Sequence, residues 1–254
     1  MKVLVACEES QRVCTAFRAR GHEAYSCDII ECSGGHPEWH IHGDVLAVLN
    51  PKELYYSVAG QAGIFPNGEV RYGIAFTTMD GSSHFIDGKW DMIIAFPPCT
   101  HLAGSGAAHF AKKREDGSQR AAIEFFCTIL NADCDKIVVE NPVNIINGPY
   151  CKIWFPDLAE KYHLPIKPSQ VIQPWMFGHP EAKKTCLWIN GVPLLDPTNV
   201  LPLPKCGYWD NQTKSGQNKL IVDGRWIQYK NPKTAILRSK TYIGVAEAMA
   251  SQWG

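Results

Sequence analysis

Lys2-Val3-Leu4-Val5-Ala6-Cys7, the helical-looking Ser10 to Arg20, and Ala24-Tyr25-Ser26-Cys27-Asp28-Ile29 together decide the fold class. The first run is apolar over the length of one strand without alternating, the pattern of a strand covered on both faces. The middle segment sets Val13, Ala16 and Phe17 at helical spacing and stops at Gly21. The third is a second strand carrying Asp28 near its end. Strand, helix and strand within 30 residues form a βαβ unit, so the expectation is an α/β fold with a doubly wound, mostly parallel sheet.

Working outward, Trp90-Asp91-Met92-Ile93-Ile94-Ala95-Phe96-Pro97-Pro98-Cys99-Thr100 supplies a further buried strand ended by two prolines. Cys99 then sits beyond the carboxyl end of that strand, the edge at which open α/β sheets collect ligands. An ionised thiol there is a strong nucleophile; the competing reading is a small buried hydrophobe, one of ten cysteines. Lys136 to Glu140 is the next short buried strand, closing on Glu140-Asn141-Pro142. A carboxyl at such an edge can be kept protonated or accept a strong hydrogen bond, which suits it to a ring nitrogen. Its bland alternative is a helix cap or a lysine partner.

Between Gly60 and Gly88 two strand-like runs flank Asp80-Gly81, which predicts a β-hairpin insertion before the Cys99 strand. Ala107 to Lys113 and Arg120 to Asn131 read as helix, Thr185 to Ile189 as the one clear strand of a proline-rich stretch from Pro142 to Pro204, and Thr241 to Trp253 as a closing amphipathic helix. The expected organisation is a catalytic domain from 1–189 and 234–254, with 190–233 as a small irregular region.

The chain has 254 residues and equal numbers of basic and acidic side chains, 25 of each, so no global positive field draws it to nucleic acid or an anionic membrane. Any DNA contact must come from a local basic face. With no long apolar run and no secretory pattern at the start, the expectation is a cytoplasmic protein with reduced cysteines and no membrane partner. Cys27, Cys32, His36, His40 and His42 are close in sequence, but their spacing fits no standard zinc motif, and no metal is expected.

With Cys99 after one strand and Glu140-Asn141-Pro142 after the next, the chain resembles the DNA cytosine methyltransferases that act at ring carbon five, in particular short phage and prophage members. The likeness extends to the first βαβ unit, to Gly43-Asp44-Val45, to Phe177 through Trp188, and to Arg238 through Ala250. It implies a Rossmann-like S-adenosylmethionine-dependent fold, a monomer, and DNA with a flipped-out cytosine as substrate, in the host cytoplasm for a phage-borne gene. Cys99 is then the nucleophile at ring carbon six, Glu140 the group on ring nitrogen three, and Asn141 its positioner. Lys183 and Lys184 stand where the family has arginines that hold the base. The resemblance assigns the cofactor to Cys7, Glu8, Glu9 and Ser10, with Ser10 as helix cap; to Asp28 and Ile29; to Asp44 and Val45; and to Pro97, Ser239 and Thr241. Where the family has a glycine-rich first turn, Cys7-Glu8-Glu9-Ser10-Gln11 has no glycine. The 190–233 region offers Lys205, Lys214, Lys219, Arg225, Lys230 and Lys233 for phosphates, but little room for reading several bases. Two alternatives stay open: a free cytosine nucleotide as substrate, and an inactive decoy that only binds DNA.

Overall fold

The computed structural model describes residues 1–50, 72–203 and 239–254, and the backbone alone of 52–55, 70–71, 220–222 and 225–227. The expected phosphate-contacting lysines of the 190–233 region lie outside the described residues. Strand β1 (Lys2–Ala6) leads through helix α1 (Arg12–Arg18) to β2 (Glu23–Asp28) and the short β3 (His40–His42). Helix α2 (Val45–Val48) precedes β4 (Lys52–Tyr55), β5 (Val70–Thr77) and β6 (Ser83–Asp87). Then come β7 (Met92–Ala95), α3 (Phe110–Glu115), α4 (Ser118–Leu130) and β8 (Ile137–Pro142). The rest comprises α5 (Tyr150–Trp154), α6 (Pro156–Lys161), β9 (Gln170–Ile172), β10 (Thr185–Asn190), the paired β11 (Leu220–Val222) and β12 (Arg225–Ile227), and helix α7 (Ile243–Trp253).

Seven strands form one sheet in the order β3-β2-β1-β7-β8-β10-β9. Every pairing from β3 to β8 is parallel, and β10 runs antiparallel to both of its neighbours. Counted within this sheet the order is 3-2-1-4-5-7-6: the doubly wound arrangement of dinucleotide-binding folds with one reversed strand wedged in near the edge. The architecture is thus α/β and compatible with a Rossmann-like fold.

Why the strands read as unbroken apolar runs is plain from their two faces. Val3, Val5, Met92, Ile94 and Val138 point to one side and pack with α1 and α7 through Phe17, Val245 and Met249. Leu4, Ala6, Ile93, Ala95 and Val139 point to the other, where Ile123, Phe126 and Cys127 of α4 cover them. Phe126 meets Trp188 of β10 edge to face, with ring centroids 5.0 Å apart, a favoured aromatic geometry.

Three expectations are corrected in detail. The hairpin at 70–87 exists as β5 and β6, but β4 joins it as a third strand. Helix in the 107–113 stretch starts as a 3-10 turn over Gly104–His109 and becomes α-helical only at Phe110. The stretch from Pro142 to Pro204 holds α5, α6 and β9 besides its one expected strand. Pro156 opens α6 at the first position, where its missing N–H costs nothing.

Candidate active site

The sheet's connections diverge between β1 and β7, so the crevice lies beyond the carboxyl ends of these strands. The Phe96 amide donates to the Ala6 carbonyl at 2.9 Å, which keeps the strands side by side up to that point.

On one side stands Cys99. The Leu102 and Ala103 amides both donate to its carbonyl, at 3.0 and 2.9 Å, and fold the chain into a tight turn. Asn141 ties this turn to β8: its side-chain amide donates to the Pro97 carbonyl at 2.7 Å, and its oxygen accepts from Asn144 at 2.9 Å. Ile145 N also bonds to Leu102 O at 3.1 Å, so the loops after β7 and β8 form one unit. Successive strand residues face opposite ways. With Asn141 turned to the Pro97 loop, Glu140 turns into the crevice, beside Phe96, Lys183, Thr185, Thr241 and Tyr242.

Burial raises the Glu140 carboxyl above the ordinary carboxylate range, with Lys183 pulling it partly back. The Cys99 residue is exposed at its surface, yet the protein packed around the thiol, and then the Glu140 charge, push its pKa above the usual value. Lys183 and, more weakly, Lys113 act in the other direction. Cys99, Glu140 and Lys183 therefore form one electrostatic unit, in which a proton on Glu140 favours the thiolate.

The two lysines separate cleanly. Lys183 is half-buried, lines the crevice and lies over the Tyr242 ring, whose hydroxyl donates to Glu181. Lys184 is exposed and its charge is felt at Cys186. The crevice holds only about 20 Å³ of free space, room for about one water. A larger hollow of about 480 Å³, beside Lys152, Glu160 and His163, shares no residue with it.

On the other side lies the turn after β1. Cys7 and Gln11 adopt left-handed backbone, with φ of 58° and 56°, so this loop makes its sharp bends without glycine. Ser10 does not cap α1. The Glu8 carboxylate does so from inside, accepting from Val13 N at 2.7 Å and Cys14 N at 3.2 Å while only 4% exposed. Burial, partly countered by these amides, brings its pKa up to about 7. Glu9 pairs with Lys240 at 3.7 Å, and Lys240 also donates to Ser33 at 2.7 Å. Gln11 clasps the His36 backbone, donating to its carbonyl at 2.7 Å and accepting from its amide at 3.0 Å.

Asp28 ends β2 half-buried, accepts from Ile30 N at 3.1 Å, and is raised above its usual range by burial. Ile29 beside it is 65% exposed, an apolar surface left open at the edge of the sheet. Asp44 is exposed and caps α2 through Leu46 N at 2.9 Å, whereas the Val45 side chain is in the core. The charges of Asp28 and Asp44 are both felt at the half-buried Cys7 thiol, which they push further up after burial has raised it. Ser239 and Thr241 line the crevice, and the Thr241 carbonyl accepts from Arg12 at 2.6 Å, which ties the entry to α7 onto the β1 loop. Pro97 is buried and contributes through its carbonyl.

Gln11, Arg12, Asn144, Lys240 and Tyr242 also build the site and were not singled out as site residues by sequence. Each acts through the backbone or through a distant loop, and local spacing carries no signal for that. His40 and His42 direct ring nitrogens to the carbonyls of Ile30 and Ile29, and among the described residues no three metal-ligating side chains converge. Among the described residues no helix is long and apolar enough to cross a membrane. No protein-family model matches this chain, and no curated protein does.

Proposed function

We propose that this protein is an S-adenosylmethionine-dependent methyltransferase acting on ring carbon five of cytosine, with DNA as substrate and Cys99 as covalent nucleophile. The observation that carries the reading is the electrostatic unit formed by Cys99 and Glu140, from the carboxyl ends of the neighbouring parallel strands β7 and β8, with Lys183 from the entry to the antiparallel β10.

Ring carbon five of cytosine is too poor a nucleophile to take a methyl group unaided. The Cys99 sulfur bonds to carbon six while Glu140 delivers its proton to ring nitrogen three, so the ring electrons move to carbon five as an enamine. A carboxyl held above its usual pKa suits that delivery, and Lys183 is placed to take the charge left on Glu140. Asn141 keeps the thiol turn and the carboxyl strand in register. When bound, S-adenosylmethionine supplies the methyl group that carbon five accepts. Carbon five then gives its proton to water, the sulfur–carbon bond breaks with its electron pair returning to Cys99, and ring nitrogen three hands its proton back to Glu140.

The residues on the β1–β3 side fit that cofactor's chemistry. Asp28 offers a carboxylate for ribose hydroxyls at the end of β2, Ile29 an exposed apolar surface beside it, and Asp44 an acceptor for an amine. Lys113, which donates to the Thr100 carbonyl, places positive charge beside Cys99, as a phosphodiester substrate needs.

Purified protein incubated with labelled S-adenosylmethionine and cytosine-containing DNA should transfer label to carbon five, and Cys99→Ser should not. Label on a free cytidine nucleotide but not on DNA would favour the small substrate. Cofactor and DNA binding without transfer would favour a decoy.

A further inference from the structure

The turn that carries Cys99 is gripped by a buried side-chain amide on either side of the thiol. Two residues before it, the Pro97 carbonyl accepts from Asn141 at 2.7 Å; two residues after it, the His101 carbonyl accepts from Gln119 at 3.1 Å. Gln119 lies in the first turn of α4 and is fully buried. An amide there, on a helix that otherwise packs the core through Ile123, Phe126 and Cys127, costs desolvation unless both of its ends find partners. Both do. The Tyr150 hydroxyl of α5 donates to Gln119 Oε1 at 2.9 Å, and Arg114 of α3 donates to that same hydroxyl oxygen. A hydroxyl that receives from arginine gives its own proton to Oε1, which leaves the Gln119 NH2 group facing the His101 carbonyl. Arg114 in turn lies over the Trp154 ring at 3.8 Å, and the Phe110 ring meets Tyr150 edge to face with centroids 5.2 Å apart. Side chains of α3, α4 and α5 thus converge on one backbone oxygen of the turn.

We propose that Gln119 is a positioning residue for Cys99, holding the far side of the thiol turn as Asn141 holds the near side. Asn141 ties the turn to β8 and so to the strand of Glu140, whereas Gln119 ties it to α4 and, through Tyr150 and Arg114, to α5 and α3. With the Gln119 grip lost, the turn pivots about Pro97 and Cys99 shifts relative to Glu140 and Lys183. The thiol owes its raised pKa first to the protein packed around it. A loosened turn lets water reach the sulfur, so the thiolate forms more easily while its alignment for attack is lost. The signature is a thiol that alkylates more readily in a site that transfers methyl more slowly.

The inference rests on Cys99 as the nucleophile of the proposed reaction, but its first measurement needs no turnover. Rates of Cys99 alkylation by iodoacetamide against pH, assigned by peptide mapping, are compared for the wild type, Gln119→Met and Tyr150→Phe, each checked for native circular dichroism. The midpoint should fall by about half a pH unit or more in Gln119→Met, and by less in Tyr150→Phe, which keeps the amide and removes only the hydroxyl that orients it. Cys127→Ala, which trims a buried group elsewhere on α4, should leave the midpoint in place. An unmoved midpoint in Gln119→Met, or an equal fall in Cys127→Ala, overturns the proposal. If Gln119→Met does not fold, the Tyr150→Phe profile decides in the same way.

In single turnover with S-adenosylmethionine and cytosine-containing DNA, Gln119→Met should lose about tenfold in rate with its cofactor affinity kept. An undiminished rate overturns the proposal as well. If the wild type transfers no methyl group while Gln119→Met still moves the alkylation midpoint, the proposed reaction falls and the grip of Gln119 on the Cys99 turn stands.

Discussion

The Asn141 side chain donates to the carbonyl of Pro97 at 2.7 Å, so the turn that carries the thiol hangs from the strand that carries the carboxyl. Two residues on from Pro97 is Cys99, and one residue before Asn141 is Glu140. One buried amide therefore ties the turn of the thiol to the strand of the carboxyl. Replacing Asn141 by Leu leaves the Pro97 carbonyl and the Asn144 amide without their partner, at a cost of about 1–3 kcal/mol for each such buried group. In urea melts the variant should lose stability on that scale. Under single-turnover conditions it should lose rate by tenfold or more with a smaller change in cofactor affinity, since the damage lies in the alignment of Cys99 with Glu140.

The thiol's ionisation gives a prediction whose sign is fixed by its neighbours. Glu140 raises the Cys99 pKa and Lys183 lowers it. At pH 8 the Glu140→Gln protein should therefore react faster with iodoacetamide at Cys99 than the wild type, and Lys183→Met more slowly. Peptide mapping of the alkylated site follows both. Equal rates in all three proteins would mean that the groups do not communicate.

Lys183 and Lys184 should part company in turnover. Lys183 lines the crevice with Glu140, so its loss should reduce methyl transfer by about 10²-fold, the scale for removing one charge-stabilising donor. Lys184→Ala should stay within a few-fold of wild type, since its side chain is exposed. Initial rates on one DNA substrate compare them directly.

Glu8 links stability to pH. Its carboxyl titrates near 7 in the folded chain against 4.5 for an unburied glutamate, so the folded state binds the proton more tightly than the unfolded state. The contribution is full below about pH 4.5 and is lost as pH rises through about 7. Its size is on the order of 3 kcal/mol. Chemical melts from pH 5 to pH 8 should show the wild type losing stability relative to Glu8→Gln by an amount of that order. A parallel pair of curves would show that Glu8 titrates normally.

What the sequence disclosed of all this follows the range of the forces involved. Strands β1, β7 and β8 are short unbroken apolar runs because both of their faces are covered, and that is readable residue by residue. Helices α5 and α6 fall in a stretch whose sequence shows many prolines and one clear strand, and Pro149 and Pro156 stand at their starts, where proline is tolerated. Ser10 is the residue type that usually caps a helix, but the cap came from Glu8, five residues before the amide of Val13 that it accepts. Asn141 was visible as a neighbour of Glu140, but its grip on Pro97 depends on β7 lying beside β8. The choice between Lys183 and Lys184 depends on which way the chain faces as it enters β10, and adjacent lysines look alike until that is known.

The most direct test is a covalent trap. DNA containing 5-fluorocytosine, incubated with the protein and S-adenosylmethionine, blocks loss of the group at carbon five and should leave the enzyme joined to the base. A stable complex whose cross-linked peptide contains Cys99, absent with Cys99→Ser, is the predicted result. Full methylation of ordinary cytosine by Cys99→Ser, or transfer by the wild type with no adduct at Cys99, would contradict it.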